Sequence, residues 1–363
     1  MSAIETINFT RGVPAVESYP LTEIAEAASA AIPQQRDQMM IYTASTGHAL
    51  LRGWLAEWQR VKPENVLIGN GSLELFEFLT LALLSPGDVV FTEAPSYDRA
   101  LTLIRRRGAV PVGVPLEADG PNIEALEKLL TQHQPKVFYI IADFQNPSGA
   151  TCSAAKRQRI AELARRHGFL ILEDGPYRQL RYRGNDEPML RELAPELTLS
   201  MSSFTKLIAP GVRCGFMVGD AALLAKIAKV AEDTYISPGS FAHGVTYEWL
   251  RRGLLGPQIE RLKALYAPRL QACLDALDKY IPDAVATRPD GGFFLSLTLP
   301  EGASTTELRA AAAKRSLNLA DGLAFFPQGG GERFLRLPFC ALSPQQIDQG
   351  VERLGLAVED VRR

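Results

Sequence analysis

The sequence predicts an α/β protein, a mostly parallel seven-stranded sheet between layers of helix, followed by a smaller α+β unit. Three observations carry that expectation. From residue 66 onward seven short apolar runs recur, most without the clean polar alternation of a strand facing water, so their sheet is expected to be covered on both faces. Helix-length stretches separate several of these runs, the pattern of strands joined by crossovers. A long helical tract over 222–282 then leads into a final segment in which strands and helices mix.

Taken in order, the chain begins irregularly through Phe9-Thr10-Arg11-Gly12-Val13-Pro14. A helix is expected from Leu21, with Ile24, Ala27, Ala28 and Ala31 on one face, ending before Pro33, because proline lacks the N–H that a helix interior uses. Tyr42–Gly47 reads as irregular, and Ala49–Val61 as an amphipathic helix through Leu51, Leu55 and Trp58. The seven runs are Val66–Gly69, Val89–Phe91, Val110–Val112, Val137–Ile141, Phe169–Leu172, Leu197–Met201 and Val212–Val218. Helices are expected at Leu73–Leu84, Ile123–Gln132 and Ala154–His167. No helix separates the last two runs, so the alternation breaks at one side of the sheet. Helices then follow at Ala222–Thr234, His243–Arg252 and Ile259–Tyr280, the last bridging to the second unit. That unit holds strands at Gly292–Leu297 and Phe334–Leu337 and helices at Thr306–Ser316 and Pro344–Leu354, with Ser343 as N-cap. The expected division is an N-terminal arm and part of the small domain over 1–48, a large domain over 49–270 and a small domain over 271–363.

Composition narrows the function. Of 363 residues 46% are hydrophobic and 22% charged, a globular balance, and the net charge of −2 offers no basic footprint for nucleic acid. Cys152, Cys214, Cys273 and Cys340 are widely spaced and read as buried reduced thiols. The four histidines show no metal-ligand spacing, so no metal is expected. Met1–Glu5 has neither a basic start nor an apolar signal core, and no run approaches the ~18 apolar residues of a membrane span. A cytoplasmic protein is expected.

The chemistry gathers where the runs end, and in covered sheets ligands bind at the carboxyl ends of the strands. After the first comes Asn70-Gly71-Ser72-Leu73, opening a helix whose free N–H groups suit a phosphate; alone, an ordinary capped helix explains it as well. After the second comes Tyr97, able to stack on a flat ring or simply to pack. Asn146, in Gln145-Asn146-Pro147-Ser148-Gly149, can donate to a phenolate oxygen, though a turn alone accounts for Asn-Pro. Asp174, in Glu173-Asp174-Gly175-Pro176-Tyr177, can keep a pyridinium nitrogen protonated, and Tyr177 can share the phenolate; an acidic loop is the plainer alternative.

The next strand ends in Ser202-Ser203-Phe204-Thr205-Lys206 and leads to Pro210-Gly211-Val212-Arg213-Cys214-Gly215. A lysine in apolar surroundings loses its charge readily and attacks aldehydes, and two hydroxyls with an arginine suit a phosphate. An aldehyde carrying a phosphate is pyridoxal 5′-phosphate. A surface lysine in a Ser/Thr-rich turn explains the short string alone; the full set of strand-end groups does not arise readily by chance.

With these motifs the chain resembles the fold-type I pyridoxal-phosphate enzymes of the aspartate-aminotransferase-like class I/II aminotransferases. It lies near the branch of 2-aminoadipate and kynurenine aminotransferases and the aminotransferase-like half of MocR regulators. The resemblance runs from Phe9 to the last helix and rests on Phe144–Gly149, Glu173–Tyr177, Ser203–Lys206, Ala209–Gly215 and Leu335–Phe339. It implies Lys206 as the residue that binds the cofactor's aldehyde and moves the substrate proton. It implies Asp174 at the pyridinium nitrogen, Asn146 and Tyr177 at the ring oxygen, and Tyr97 against the ring. Ser72 and Leu73 amides, Ser203, Thr205 and Arg213 would hold the phosphate. Arg336 would take the substrate carboxylate with Asn146, and Gly12 would lie near the substrate. Tyr42 would reach the partner's phosphate in a homodimer with shared sites. The substrates implied are an amino acid and a 2-oxo acid, with 2-oxoglutarate as the family default.

The chain departs from the family pattern at Ser202, usually glycine, at Thr205, usually serine, within Tyr42–Gly47 and at Ala15-Val16. These positions bear on the substrate side chain and the dimer partner. Two other functions share the motifs. A C–S lyase, or another elimination or cyclisation enzyme, would use the same groups on an amino acid and release ammonia without a 2-oxo acid. A regulatory module would need a DNA-binding part ahead of Phe9.

Overall fold

The computed structural model describes residues 5–299, 301 and 304–362; of Met1–Glu5, read above for a signal segment, Met1–Ile4 lie outside them. The chain opens with β1 (Ile7–Phe9), α1 (Leu21–Met39) and α2 (Ala49–Trp58). The large sheet and its helices follow: β2 (Val66–Gly69), α3 (Ser72–Leu83), β3 (Val89–Ala94), α4 (Asp98–Arg106), β4 (Val110–Glu117), β5 (Gly120–Pro121) and α5 (Ile123–Leu130). Next come β6 (Pro135–Ile140), α6 (Ala154–His167), β7 (Leu170–Asp174), α7 (Leu190–Leu193), β8 (Thr198–Ser203) and β9 (Gly215–Val218). After α8 (Ala221–Tyr235), α9 (Ser240–Arg251) and the 26-residue α10 (Leu255–Tyr280), the chain ends in β10 (Val285–Ala286), β11 (Phe294–Thr298), α11 (Thr305–Lys314), β12 (Leu317–Leu319), β13 (Phe334–Pro338) and α12 (Pro344–Arg362).

The large sheet has the order β2-β9-β8-β7-β6-β3-β4-β5. The five strands from β8 to β4 are parallel, and β9 runs antiparallel to both its neighbours. Seven strands match the seven apolar runs, and the two-residue β5 adds an antiparallel edge. Burial on both faces explains the missing alternation: all four residues of β2 and of β9 are buried. β8 and β9 form the junction expected from the missing helix. The C-terminal sheet, β10-β11-β13, is antiparallel, and β1 pairs in parallel with β12. Ile7, Phe9, Leu277, Leu337 and Leu354 share one apolar core there. All four cysteines are buried and free. Among the described residues no helix is long and apolar enough to cross a membrane.

Several boundaries differ from expectation, the last helix by eight residues, and three of the differences have a visible local cause. Helix α1 passes through Pro33 to Met39, with Gln35 off helical geometry (φ −125°, ψ 17°). Packing against α9 holds the far side of the proline: Gln35 Nε2 donates to the Gly244 carbonyl at 3.3 Å, and Met39 fills the space a side chain at Gly244 would need. Helix α2 stops at Trp58 rather than Val61, because Arg60 turns the chain in the left-handed region (φ 56°). The seventh run is a strand only from Gly215; Pro210–Val212 makes a 3-10 turn and Arg213 is left-handed (φ 43°).

Candidate active site

The carboxyl ends of β3, β6, β7 and β8 and the N-terminus of α3 open onto one cleft. Its walls include Ser72, Leu73, Tyr97, Asn146, Asp174, Tyr177, Ser203, Thr205, Lys206 and Arg213, ten of the residues singled out in the sequence. Gly12 and Arg336 adjoin it through hydrogen bonds described below. Tyr42 does not line the cleft of its own chain and is 76% exposed.

Lys206 follows β8 in a tight turn, with Phe204 buried beneath it. Its Nζ donates to the Gly12 carbonyl at 3.0 Å and lies 5.7 Å from the Phe293 ring centroid and 6.0 Å from that of Tyr177. Burial pulls the pKa of its ammonium down, and the nearby Arg336 charge adds to this. A lysine so placed reaches its nucleophilic amine form more readily than one in water.

Asp174 ends β7. Tyr139, on β6, donates its hydroxyl to Asp174 Oδ2 at 2.8 Å, while Oδ1 is buried without a partner. Burial pushes the Asp174 carboxyl up to about 7, against the Tyr139 bond, which lowers it. A buried carboxylate oxygen with nothing donating to it suits a cationic N–H from a ligand. Tyr139 was not among the expected residues, since within Val137–Ile141 it reads as one more buried strand residue. A hydroxyl inside an otherwise apolar run was the available signal.

A corner rich in N–H donors, able to take an anion, lies where β2 and β9 pair. Arg213 Nη2 donates to the Asn70 carbonyl at 2.8 Å, beside the free N–H groups at the start of α3. Glycines let the segments close: a Cβ on Gly215 would collide with the Ser72 amide, and one on Gly71 would sit 2.8 Å from Arg213 Nη2. Ser203 and Thr205 complete the corner from β8 and its exit.

Arg336, on β13, is 9% exposed and has no carboxylate partner among the described residues. Nη1 donates to Asn146 Oδ1 at 2.9 Å, Nη2 donates to the Thr10 carbonyl at 2.8 Å, and Nε is buried without a partner. The guanidinium lies between the rings of Phe294 and Phe325, at 4.9 and 4.7 Å. A buried cation without a counter-ion is costly and therefore receptive to an anionic ligand. Gly12 packs so closely on Phe294 that any Cβ there would collide with the ring. Gly12→Ala is expected to weaken binding of a carboxylate at Arg336 about tenfold by displacing Phe294; titration of the variant with a carboxylate ligand checks this.

Pyridoxal 5′-phosphate fits these groups: the unpaired Asp174 oxygen for a protonated ring nitrogen, the α3 N-terminus with Arg213 for the phosphate, and the buried amine of Lys206 for the aldehyde.

A family model described as aminotransferase class I and II matches residues 4–354. The chain is 34% identical to the 2-aminoadipate transaminase of Thermus thermophilus, over 97% of this chain and 90% of that protein. It is 29% identical to aromatic-amino-acid aminotransferase 1 of Thermococcus litoralis, over 98% and 88%. The crystal structure of a Thermus thermophilus α-aminoadipate aminotransferase complexed with N-(5′-phosphopyridoxyl)-L-leucine superposes with a TM-score of 0.94 at 33% identity, covering 98% of this chain and 93% of that one.

Proposed function

The chain belongs to the aminotransferase class I and II family and is a transaminase, moving an amino group between an amino acid and a 2-oxo acid; from that premise we propose that it holds pyridoxal 5′-phosphate at the strand ends, with Lys206 as attachment and proton-transfer residue. One observation carries the assignment of residues. A buried amine, a carboxylate with an unpaired oxygen and an arginine without a counter-ion converge on one cleft.

The family depends on this cofactor, which when bound takes up the electron pair left at the substrate's α-carbon. The protein's own residues do the rest. Asp174 keeps the ring nitrogen protonated, and Tyr139 orients the carboxylate through its other oxygen. Asn146 and Tyr177 bind the ring oxygen, and Tyr97 lies against the ring. Ser72 and Leu73 amides, Ser203, Thr205 and Arg213 hold the phosphate. Arg336, aimed by Asn146 and flanked by two phenylalanines, receives the substrate's α-carboxylate as a bidentate pair. Gly12 leaves room beside it. Lys206 Nζ, in its neutral form, takes the proton from the α-carbon and returns it elsewhere on the bound molecule.

The reading includes a cytoplasmic homodimer in which Tyr42 reaches the partner's phosphate. The exposure of three consecutive large residues, Met40 (58%), Ile41 (58%) and Tyr42 (76%), supports a covered surface there. It also includes the division into 49–270 and 271–363, with 1–48 as arm and part of the small domain, supported by the pairing of β1 with β12.

The first test is the absorption spectrum of the purified protein before and after single amino acids are added without any 2-oxo acid. Stoichiometric bleaching of a visible band by a donor amino acid is the expected result. Accumulation of ammonia with the band intact would contradict it. Arg336→Gln is expected to lower kcat/KM about a hundredfold for every amino acid alike, mainly through KM, because two charge-assisted hydrogen bonds are lost. Arg336→Lys should recover little of this, since an ammonium cannot replace the planar fork.

A further inference from the structure

We propose that Gln145, tied to the large sheet by Glu93, is a positioning residue that fixes how Asn146 and Arg336 face a substrate carboxylate. The inference rests on the reading that Arg336 takes that carboxylate, and it assigns the arginine a support on the far side of the Asn146 turn.

The buried Gln145 side chain makes four hydrogen bonds, two at each end. Its Nε2 donates to the Pro95 carbonyl at 2.8 Å and to Glu93 Oε2 at 3.2 Å. Its Oε1 accepts from the Ser148 amide at 2.8 Å and from Ser148 Oγ at 2.7 Å. Two donations at one end and two acceptances at the other call for a carboxamide. A carboxylate has nothing to donate, and a neutral imidazole offers one donor and one acceptor.

Glu93, on β3, is also buried, and its Oε2 accepts a second bond, from the Ile141 amide just past β6, at 3.0 Å. Burial pushes this carboxyl up to about 8, against the bonds from Ile141 and Gln145, which lower it. At neutral pH it is therefore mostly protonated, with Oε2 as the carbonyl oxygen that accepts both N–H groups. One uncharged carboxyl thus joins the ends of two neighbouring strands to the turn that carries Asn146.

The turn carries that placement to the C-terminal sheet at three points. Asn146 Oδ1 accepts from Arg336 Nη1 at 2.9 Å. The Ser148 carbonyl accepts from Thr287 Oγ1 at 2.7 Å and from Ser296 Oγ at 3.2 Å, and Ser296 is the register partner of Arg336 across β11 and β13. Gly149 holds a left-handed backbone (φ 82°), and a Cβ on it would lie 2.5 Å from the carbonyl of Phe294, the residue whose ring flanks Arg336. The guanidinium is aimed by two neutral acceptors, Asn146 and the Thr10 carbonyl, and the first of these stands on this turn. A turn gripped so closely on both sides cannot shift without turning the arginine fork.

The test is a double-mutant cycle read by steady-state kinetics with the donor amino acid that bleaches the visible band. Gln145→Leu, similar in volume and unable to make any of the four bonds, is expected to raise KM about tenfold for that amino acid and for the 2-oxo acid alike, with kcat changed by no more than about twofold. Combined with Arg336→Gln it should add nothing to the loss in that variant, because Gln145 acts through Arg336. Glu93→Leu should raise KM in the same way, and Glu93→Gln, which keeps an accepting oxygen without a charge, should recover the loss. Ser148→Ala, which takes only the hydroxyl from Oε1, forms the same cycle should Gln145→Leu not fold, with KM up about threefold. Losses that multiply in the double variant, a fall in kcat at constant KM, or an unchanged KM would each overturn the positioning role. If Arg336→Gln itself leaves KM unchanged, the carboxylate reading falls whatever Gln145 does.

Discussion

Lys206→Ala is expected to lower kcat by at least about 10⁴-fold, because it removes both the covalent attachment and the group that moves the proton, each of which supplies large factors. The two side chains whose charge acts on Lys206, Cys340 and Arg336, cannot stand in for it. The thiol of Cys340 is itself pushed up to about 12 by burial, and Arg336 stays protonated. KM should change less than kcat, since Arg336 and its partners are untouched. Lys206→Arg should be as inactive as the alanine variant, because a guanidinium does not reach the neutral form. The variants should also lose the amino-acid-sensitive visible band of the reconstituted wild type. A Lys206→Ala protein that kept more than about a hundredth of wild-type kcat would remove this lysine from the reaction.

Asp174→Asn is expected to cost about a thousandfold in kcat, roughly 4 kcal/mol, the scale of losing one partner of a buried ion pair. The amide keeps the shape and can still accept from Tyr139, but it carries no charge to keep a ring nitrogen protonated. A second readout concerns the cofactor-free protein. Burial raises the Asp174 pKa from 3.8 to about 7, so the folded chain binds this proton more tightly than the unfolded chain. Stability from this group is therefore fully present below the ordinary carboxylate range and is lost as pH rises toward about 7. Urea midpoints measured across that window should fall with pH in the wild type and fall less in Asp174→Asn. Parallel slopes in the two proteins would mean that Asp174 does not titrate as its burial implies.

The large sheet was legible because its strands are buried on both faces and so stand out as unbroken apolar runs. Helix α6 was legible to the residue, Ala154–His167, because it is long and ends at a left-handed glycine, Gly168. Helix α4 was missed although its buried Ala100, Leu101, Leu103 and Ile104 fall on one face: at nine residues it spans fewer turns than the helices read from longer windows. β1 and β12 were missed for another reason: three residues each, they are strands only because they pair across more than three hundred residues. The same distinction runs through the site. Lys206, Asp174, Asn146 and Arg213 sit in local motifs with a recognisable chemistry. Tyr139 matters only because β6 lies beside β7, which brings its hydroxyl to Asp174. No local pattern encodes those neighbours. Pro33 misled because a rule about backbone hydrogen bonds was overridden by side-chain packing against α9.

The place of β9 between β2 and β8 has a consequence for assembly. Ser72 and Arg213 lie 141 positions apart, and they meet only after a strand running against the grain of the sheet has been inserted beside the first one made. A chain emerging from synthesis therefore carries half of the proposed anion site while the next 141 residues are made, and the site closes only through contacts of very high sequence separation. A phosphate-bearing ligand then has nothing to hold on any partly formed intermediate that lacks β9. It rewards only the completed sheet, and a thousandfold excess over its dissociation constant would deepen that one state by about 4 kcal/mol.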